Sequence, residues 1–115
     1  MVKGGIKMLN KSPSEETLHE IIHRIVDVAH PDKIIMFGSA ARGEMGPNSD
    51  IDLLVIKSGK FNSRRLTSDI YVKMIGINQA VDIILTTPEQ VEKYRNINYL
   101  IIAPALQEGK EIYHV

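Results

Sequence analysis

Ile34-Ile35-Met36-Phe37-Gly38-Ser39-Ala40-Ala41-Arg42-Gly43, a loop from Glu44 to Ser49, and then Asp50-Ile51-Asp52-Leu53-Leu54-Val55 decide the fold. The apolar run Ile34 to Phe37 predicts a short buried strand. It ends at Gly38-Ser39, where a helical turn through Ala40, Ala41 and Arg42 begins. Gly43 to Ser49 holds two glycines, a proline and an asparagine, the composition of a loop. A second strand is expected from Asp50 to Lys57. Side chains alternate along a strand, so Asp50 and Asp52 share a face with Leu54 and Ile56, while Ile51, Leu53 and Val55 take the other. Two carboxylates side by side repel unless they share a proton or a cation. Hard divalent ions such as Mg²⁺ take oxygen ligands, commonly one or two carboxylates with substrate phosphates.

Outward from this stretch the pattern alternates. Upstream, Ser12, Pro13 and Glu15 read as a capped helix start. Leu18, Ile21, Ile22, Ile25, Val28 and Ala29 follow as one helical stripe that Pro31 closes. Downstream, Leu66, Ile70 and Met74 predict a helix over 63–75, and Ala80 to Leu85 a third strand. That strand carries Asp82 between Val81 and Ile83, an acid costly to bury alone. If the second and third strands are neighbours, Asp82 joins Asp50 and Asp52 in a three-carboxylate site. Thr87-Pro88-Glu89-Gln90 starts another helix. The stretch from Asn96 to Glu108 is expected to be helical in part, broken, kinked or restarted at Pro104. Gly109 ends it, and Glu111 to Tyr113 reads as an edge strand. The order α-β-α-β-α-β-α-α-β describes a small α/β domain, a short mixed sheet packed with helices. Residues 1–11, with Gly4, Gly5 and three lysines, read as a flexible leader, and 12–115 as a single domain.

Composition narrows the function. The 115 residues include 14 basic and 14 acidic side chains and no cysteine, with 43% hydrophobic and 24% charged residues. Balanced charge argues against a non-specific nucleic-acid binder. The absence of cysteine removes disulfides and thiolate zinc sites and fits a cytoplasmic protein. No apolar run approaches a membrane span of ~20 residues. Gly38 lets the backbone approach a ligand closely. The helix start after it offers free N–H groups to phosphate, Ser39 adds a hydroxyl donor, and Arg42 a charge one turn on. Each part alone is commonplace: Asp-x-Asp recurs by chance, Gly-Ser is often a plain cap, and Arg42 would otherwise be a solvated arginine. Their spacing together is specific.

The segments Phe37 to Gly43 and Ser49 to Val55 resemble the signature of the minimal nucleotidyltransferase family, within the polymerase-beta-like nucleotidyltransferase superfamily. The resemblance runs from about Ile34 to Leu85 and returns in Gln107 to Tyr113. It implies that Asp50, Asp52 and Asp82 hold two Mg²⁺ ions. It also implies that Gly38 and Ser39 hold the β- and γ-phosphates of a nucleotide, with Arg42 adding charge. Asp82 would help deprotonate an attacking hydroxyl, and pyrophosphate would leave. Members of this family commonly accompany a small helical protein of the HEPN type, often a toxic ribonuclease. They can act as antitoxin by attaching AMP from ATP to a tyrosine of that toxin. A contact-only antitoxin and modification of a small molecule are the competing readings. Strands apolar on both faces, and the apolar run Tyr99-Leu100-Ile101-Ile102-Ala103, further predict pairing with a helical partner or a second copy.

His19-Glu20-Ile21-Ile22-His23 spells H-E-x-x-H on a helix, the zinc protease signature. A third ligand is needed. His30, seven residues beyond His23 on one straight helix, is too far to close a site, so these residues are read as the polar face of the amphipathic helix.

Overall fold

A computed structural model of the chain describes residues 12–97 and 101–115. Helix α1 spans Glu15–Ala29, followed by β1 (Lys33–Phe37), α2 (Gly38–Arg42), β2 (Ile51–Ile56) and α3 (Ser63–Lys73). Then come β3 (Val81–Thr86), α4 (Pro88–Tyr94), α5 (Ile102–Glu108) and β4 (Lys110–His114). The expected alternation is present, with boundaries moved by one or two residues. The proposed leader, Tyr99 and Leu100 lie outside the described residues.

The four strands form one mixed sheet in the order β3-β2-β1-β4. β1 is antiparallel to both β2 and β4, whereas β2 and β3 run parallel. A parallel pair needs a crossover, and α3 supplies it. Strand alternation sorts the apolar residues into two cores. Ile34, Met36, Ile51, Leu53, Val55 and Ile83 pack with Ile21, Ile25 and Ala29 of α1 and Ile70 of α3. Ile35, Phe37, Leu54 and Ile56 pack on the other face with Ile102 and Ala105 of α5. Each fully buried large aliphatic side chain contributes about 1.5–3 kcal/mol, so a sheet covered on both faces is well supported even in a short chain.

One local expectation is corrected and another is narrowed. The N-cap of α1 is Ser14, whose hydroxyl accepts from the Thr17 amide at 3.1 Å, and not Ser12. Starting there puts Glu15 and Glu16 in the first turn, where the helix dipole favours acids. At Pro104, of the three expected outcomes, it is the restart that occurs: α5 is a new helix with the proline in its first turn. Pro104 is the third residue of a helix that begins at Ile102, where its missing N–H would have had no intrahelical partner. Gly109 closes that helix with extended φ, and its role is spatial: a Cβ there would collide with the Ala105 carbonyl oxygen and the Ile35 side chain.

No described helix is long and apolar enough to cross a membrane. Between β3 and the α4–α5 pair an open groove of about 460 Å³ remains, lined by Ile84, Leu85, Tyr94, Ile101 and Ile102.

Candidate active site

β2 and β3 enter the sheet side by side and in register. Asp52 and Asp82 are directly paired across the parallel ladder, each the second residue of its strand, and Asp50 lies just before β2. Paired residues on adjacent strands sit about 4.8 Å apart and point to the same face. The structure thus sets Asp52 and Asp82 side by side on neighbouring strands, with Asp50 close enough to act on Asp52. Gln79 tightens that entry, its side-chain amide donating to the carbonyls of Ser49 and Ala80 at 3.1 and 2.8 Å.

On the other side of β2, Asp52 pairs with Phe37, the last residue of β1. The chain then turns at Gly38, so the start of α2 lies against the acids. Gly38 has φ +70°, and a Cβ there would run into the Asp52 carboxylate. Glycine is required twice over, by backbone conformation and by space. No side chain caps the first turn of α2, which follows Phe37 in extended conformation. The Gly38–Ser39 turn and the acid cluster thus adjoin, joined at Asp52.

Asp52 is half-buried; Asp50 and Asp82 are exposed. Burial pushes the Asp52 carboxyl above its ordinary range, and the charges of Asp82 and Asp50 push it further, against a smaller opposing pull from Arg42. Among the described residues no lysine, arginine or histidine forms an ion pair with any of the three acids. Nor do any three His, Asp or Glu side chains among them stand as a set that could hold a metal ion. Chemically the group still fits a hard divalent cation: all-oxygen donors, excess negative charge and a raised carboxylate pKa that a cation would relieve.

Arg42 is placed differently from a free phosphate ligand. Its Nε donates to Glu44 at 2.7 Å and its Nη1 to Glu108 at 2.9 Å, and the Glu44 bond, more than any other contact, holds its pKa up. It faces the site electrostatically while its hydrogen bonds go elsewhere.

Tyr71 of α3 was not singled out from the sequence. Its hydroxyl donates to Asp82 Oδ1 at 3.1 Å and accepts from the Ile83 amide at 2.8 Å. The available signal was a half-apolar side chain next to the buried Ile70, on the helix that crosses from β2 to β3.

On α1, His19, Glu20 and His23 are all exposed. Glu20 accepts from Arg24 Nε at 2.8 Å, which keeps its carboxyl below the ordinary range. Arg24 Nη1 in turn donates to the carbonyls of Lys73 and Ile75 at 2.9 Å each. The H-E-x-x-H glutamate is thus half of an interhelical clamp.

Comparison with known proteins gives this sheet, with its paired acids beside a Gly-Ser turn, a family. The sequence model of the nucleotidyltransferase domain matches residues 16–107, and the chain belongs to that family. A Sulfolobus solfataricus chain classed as a nucleotidyltransferase superposes with TM-score 0.59 at 19% identity, covering 98% of this chain and 86% of that one. A toxin–antitoxin structure with AMP-PNP gives TM-score 0.63 at 19% identity, over 84% of this chain and 73% of that one. A mutant of the toxin–antitoxin MntA–HpeT gives 0.61 at 16% identity, over 84% and 72%. No curated protein sequence matches this chain.

Proposed function

We propose that this protein is a Mg²⁺-dependent nucleotidyltransferase of the minimal type, moving AMP from ATP to a hydroxyl. The acceptor in this reading is a tyrosine of a helical HEPN-type toxin, and the protein acts as antitoxin in the cytoplasm. The observation that carries the chemistry is the in-register pairing of Asp52 with Asp82, one strand away from the Gly38 turn. Support for the setting comes from the toxin–antitoxin neighbours, one of them bound to AMP-PNP.

In this reading Asp50, Asp52 and Asp82 would hold two Mg²⁺ ions, and these would supply neutralisation of the charge that develops during transfer. Gly38 gives the β- and γ-phosphates room beside Asp52, while Ser39 and the uncapped amides of α2 donate to them. Asp82, at the sheet's open edge, would help deprotonate the acceptor hydroxyl. The new bond joins that oxygen to the α-phosphorus, the α–β bridging bond breaks, and pyrophosphate leaves. Beyond that proton transfer, the protein contributes mainly positioning and charge stabilisation. Arg42 joins the phosphates by exchanging Glu44 or Glu108 for them. The apolar groove along β3 favours a second reading, in which the partner is silenced by contact alone.

Calorimetric titration with ATP, with and without Mg²⁺, tests the site. Binding should require Mg²⁺ and be lost in the double variant Asp50→Asn/Asp52→Asn. Binding that survives both changes refutes the assignment.

A further inference from the structure

β3 is an end strand, with β2 on one side only. Its unpaired edge leaves the Ile83 amide without a ladder partner, and the phenol oxygen of Tyr71 takes that amide. Once the oxygen receives the Ile83 N–H, the hydroxyl's own proton is directed elsewhere, and it goes to Asp82 Oδ1. Main chain, phenol and carboxylate form a fixed chain. Asp82 is exposed and stands beside the like charge of Asp52, so without a tether its carboxylate would swing toward water. A lysine in the same place would hold the acid but cancel the charge that attracts a cation. A neutral phenol holds it and leaves the charge. One oxygen of Asp82 is thereby pinned, and the second is left for a ligand.

We propose that Tyr71 is a positioning residue of the active site, anchored on the edge of β3 to fix the Asp82 carboxylate for cation binding beside Asp52. This rests on the reading of the three acids as a cation site. Partners of this kind, bonded to a metal ligand, are worth about 10–100-fold in metal affinity.

The test is Mn²⁺ binding by the full chain with a non-hydrolysable ATP analogue, followed by calorimetry and by the Mn²⁺ resonance spectrum. Tyr71→Phe, Asp82→Asn and the double variant are compared with the parent. The ring of Tyr71 is retained in Tyr71→Phe, and melting curves check the fold. Tyr71→Phe should weaken Mn²⁺ about tenfold and alter its spectrum, and should add nothing in the Asp82→Asn background, because the phenol acts only through that carboxylate. A purely structural role would give the same loss in both backgrounds and overturn the proposal. Parent-like Mn²⁺ binding in Tyr71→Phe, with weakened binding in Asp82→Asn, overturns it too while leaving the cation site standing. Unchanged binding in every aspartate variant removes the cation site itself, and Tyr71's role with it.

Discussion

Asp52 carries the electrostatic tension of the site. Its folded-state pKa is raised, first by burial and then by Asp82 and Asp50, so the folded protein holds this proton more tightly than the unfolded chain. The contribution is therefore most favourable below the ordinary aspartate range and is lost as pH rises through the unfolded and then the raised folded pKa. Asp52→Asn in metal-free buffer should raise the melting temperature at neutral pH by roughly 2–4 °C, the size that about 0.5 kcal/mol gives in a small domain. The gain should vanish in acid, and Mg²⁺ should stabilise the parent but not the variant. Melting curves across pH, with and without Mg²⁺, check both parts; a gain equally large in acid refutes the electrostatic account. Gly38 is the matching steric case. Gly38→Ala should cost about 1–2 kcal/mol for a left-handed backbone with a Cβ, and should abolish nucleotide binding because the methyl displaces the Asp52 carboxylate. Denaturant melts and ATP calorimetry read the two effects separately. The acids were legible in the sequence because strand alternation alone puts Asp50 and Asp52 on one face. The engagement of Arg42 by Glu108 was not, because it joins residues 66 apart through the packing of α2 near α5.

At the scale of elements, α1 shows how a motif misleads. H-E-x-x-H has the spacing of a zinc site, yet its glutamate braces Arg24, which satisfies two carbonyls at the C-terminal end of α3. Helix ends leave carbonyls without intrahelical partners, and a guanidinium is well suited to them. Arg24→Ala should lower stability by roughly 1–2 kcal/mol in chemical denaturation, since it removes charge-assisted bonds to two carbonyls at a partly exposed site. Metal analysis of untagged protein should find no stoichiometric zinc. One zinc per chain, lost in both His19→Ala and His23→Ala, would show that the clamp reading is wrong. Periodicity placed the elements themselves, because apolar stripes and Gly/Pro punctuation are local. The precise cap was not fixed by it, since Ser12 and Ser14 both precede acids and only the packed helix selects Ser14. Tyr71 lay beyond reach for the same reason: its partner amide exists only because β3 is an edge, a fact of strand order.

At the scale of the molecule, the sheet is clothed unevenly. α1 and α3 cover one face, while on the other the short helices α4 and α5 leave the groove beside Ile84 and Tyr94 open. That groove and Asp82 lie on the same edge strand, β3, so an acceptor approaching Asp82 comes in beside apolar surface. A helical partner presenting a tyrosine suits this arrangement. The side chain is long enough to reach the acids from a docked helix, and a cation held by the acids would lower the barrier to losing its proton. On the proposed reading, the protein mixed with a helical HEPN-type toxin, ATP and Mg²⁺ should add AMP to that partner, seen as whole AMP units by intact mass spectrometry. The additions should disappear in Asp50→Asn and in Asp52→Asn, and on replacing the modified tyrosine by phenylalanine. A partner that is silenced but unmodified would make the groove, and not the acids, the working surface. AMP transfer to a free small molecule in the absence of any complex would keep the acids and retire the partner.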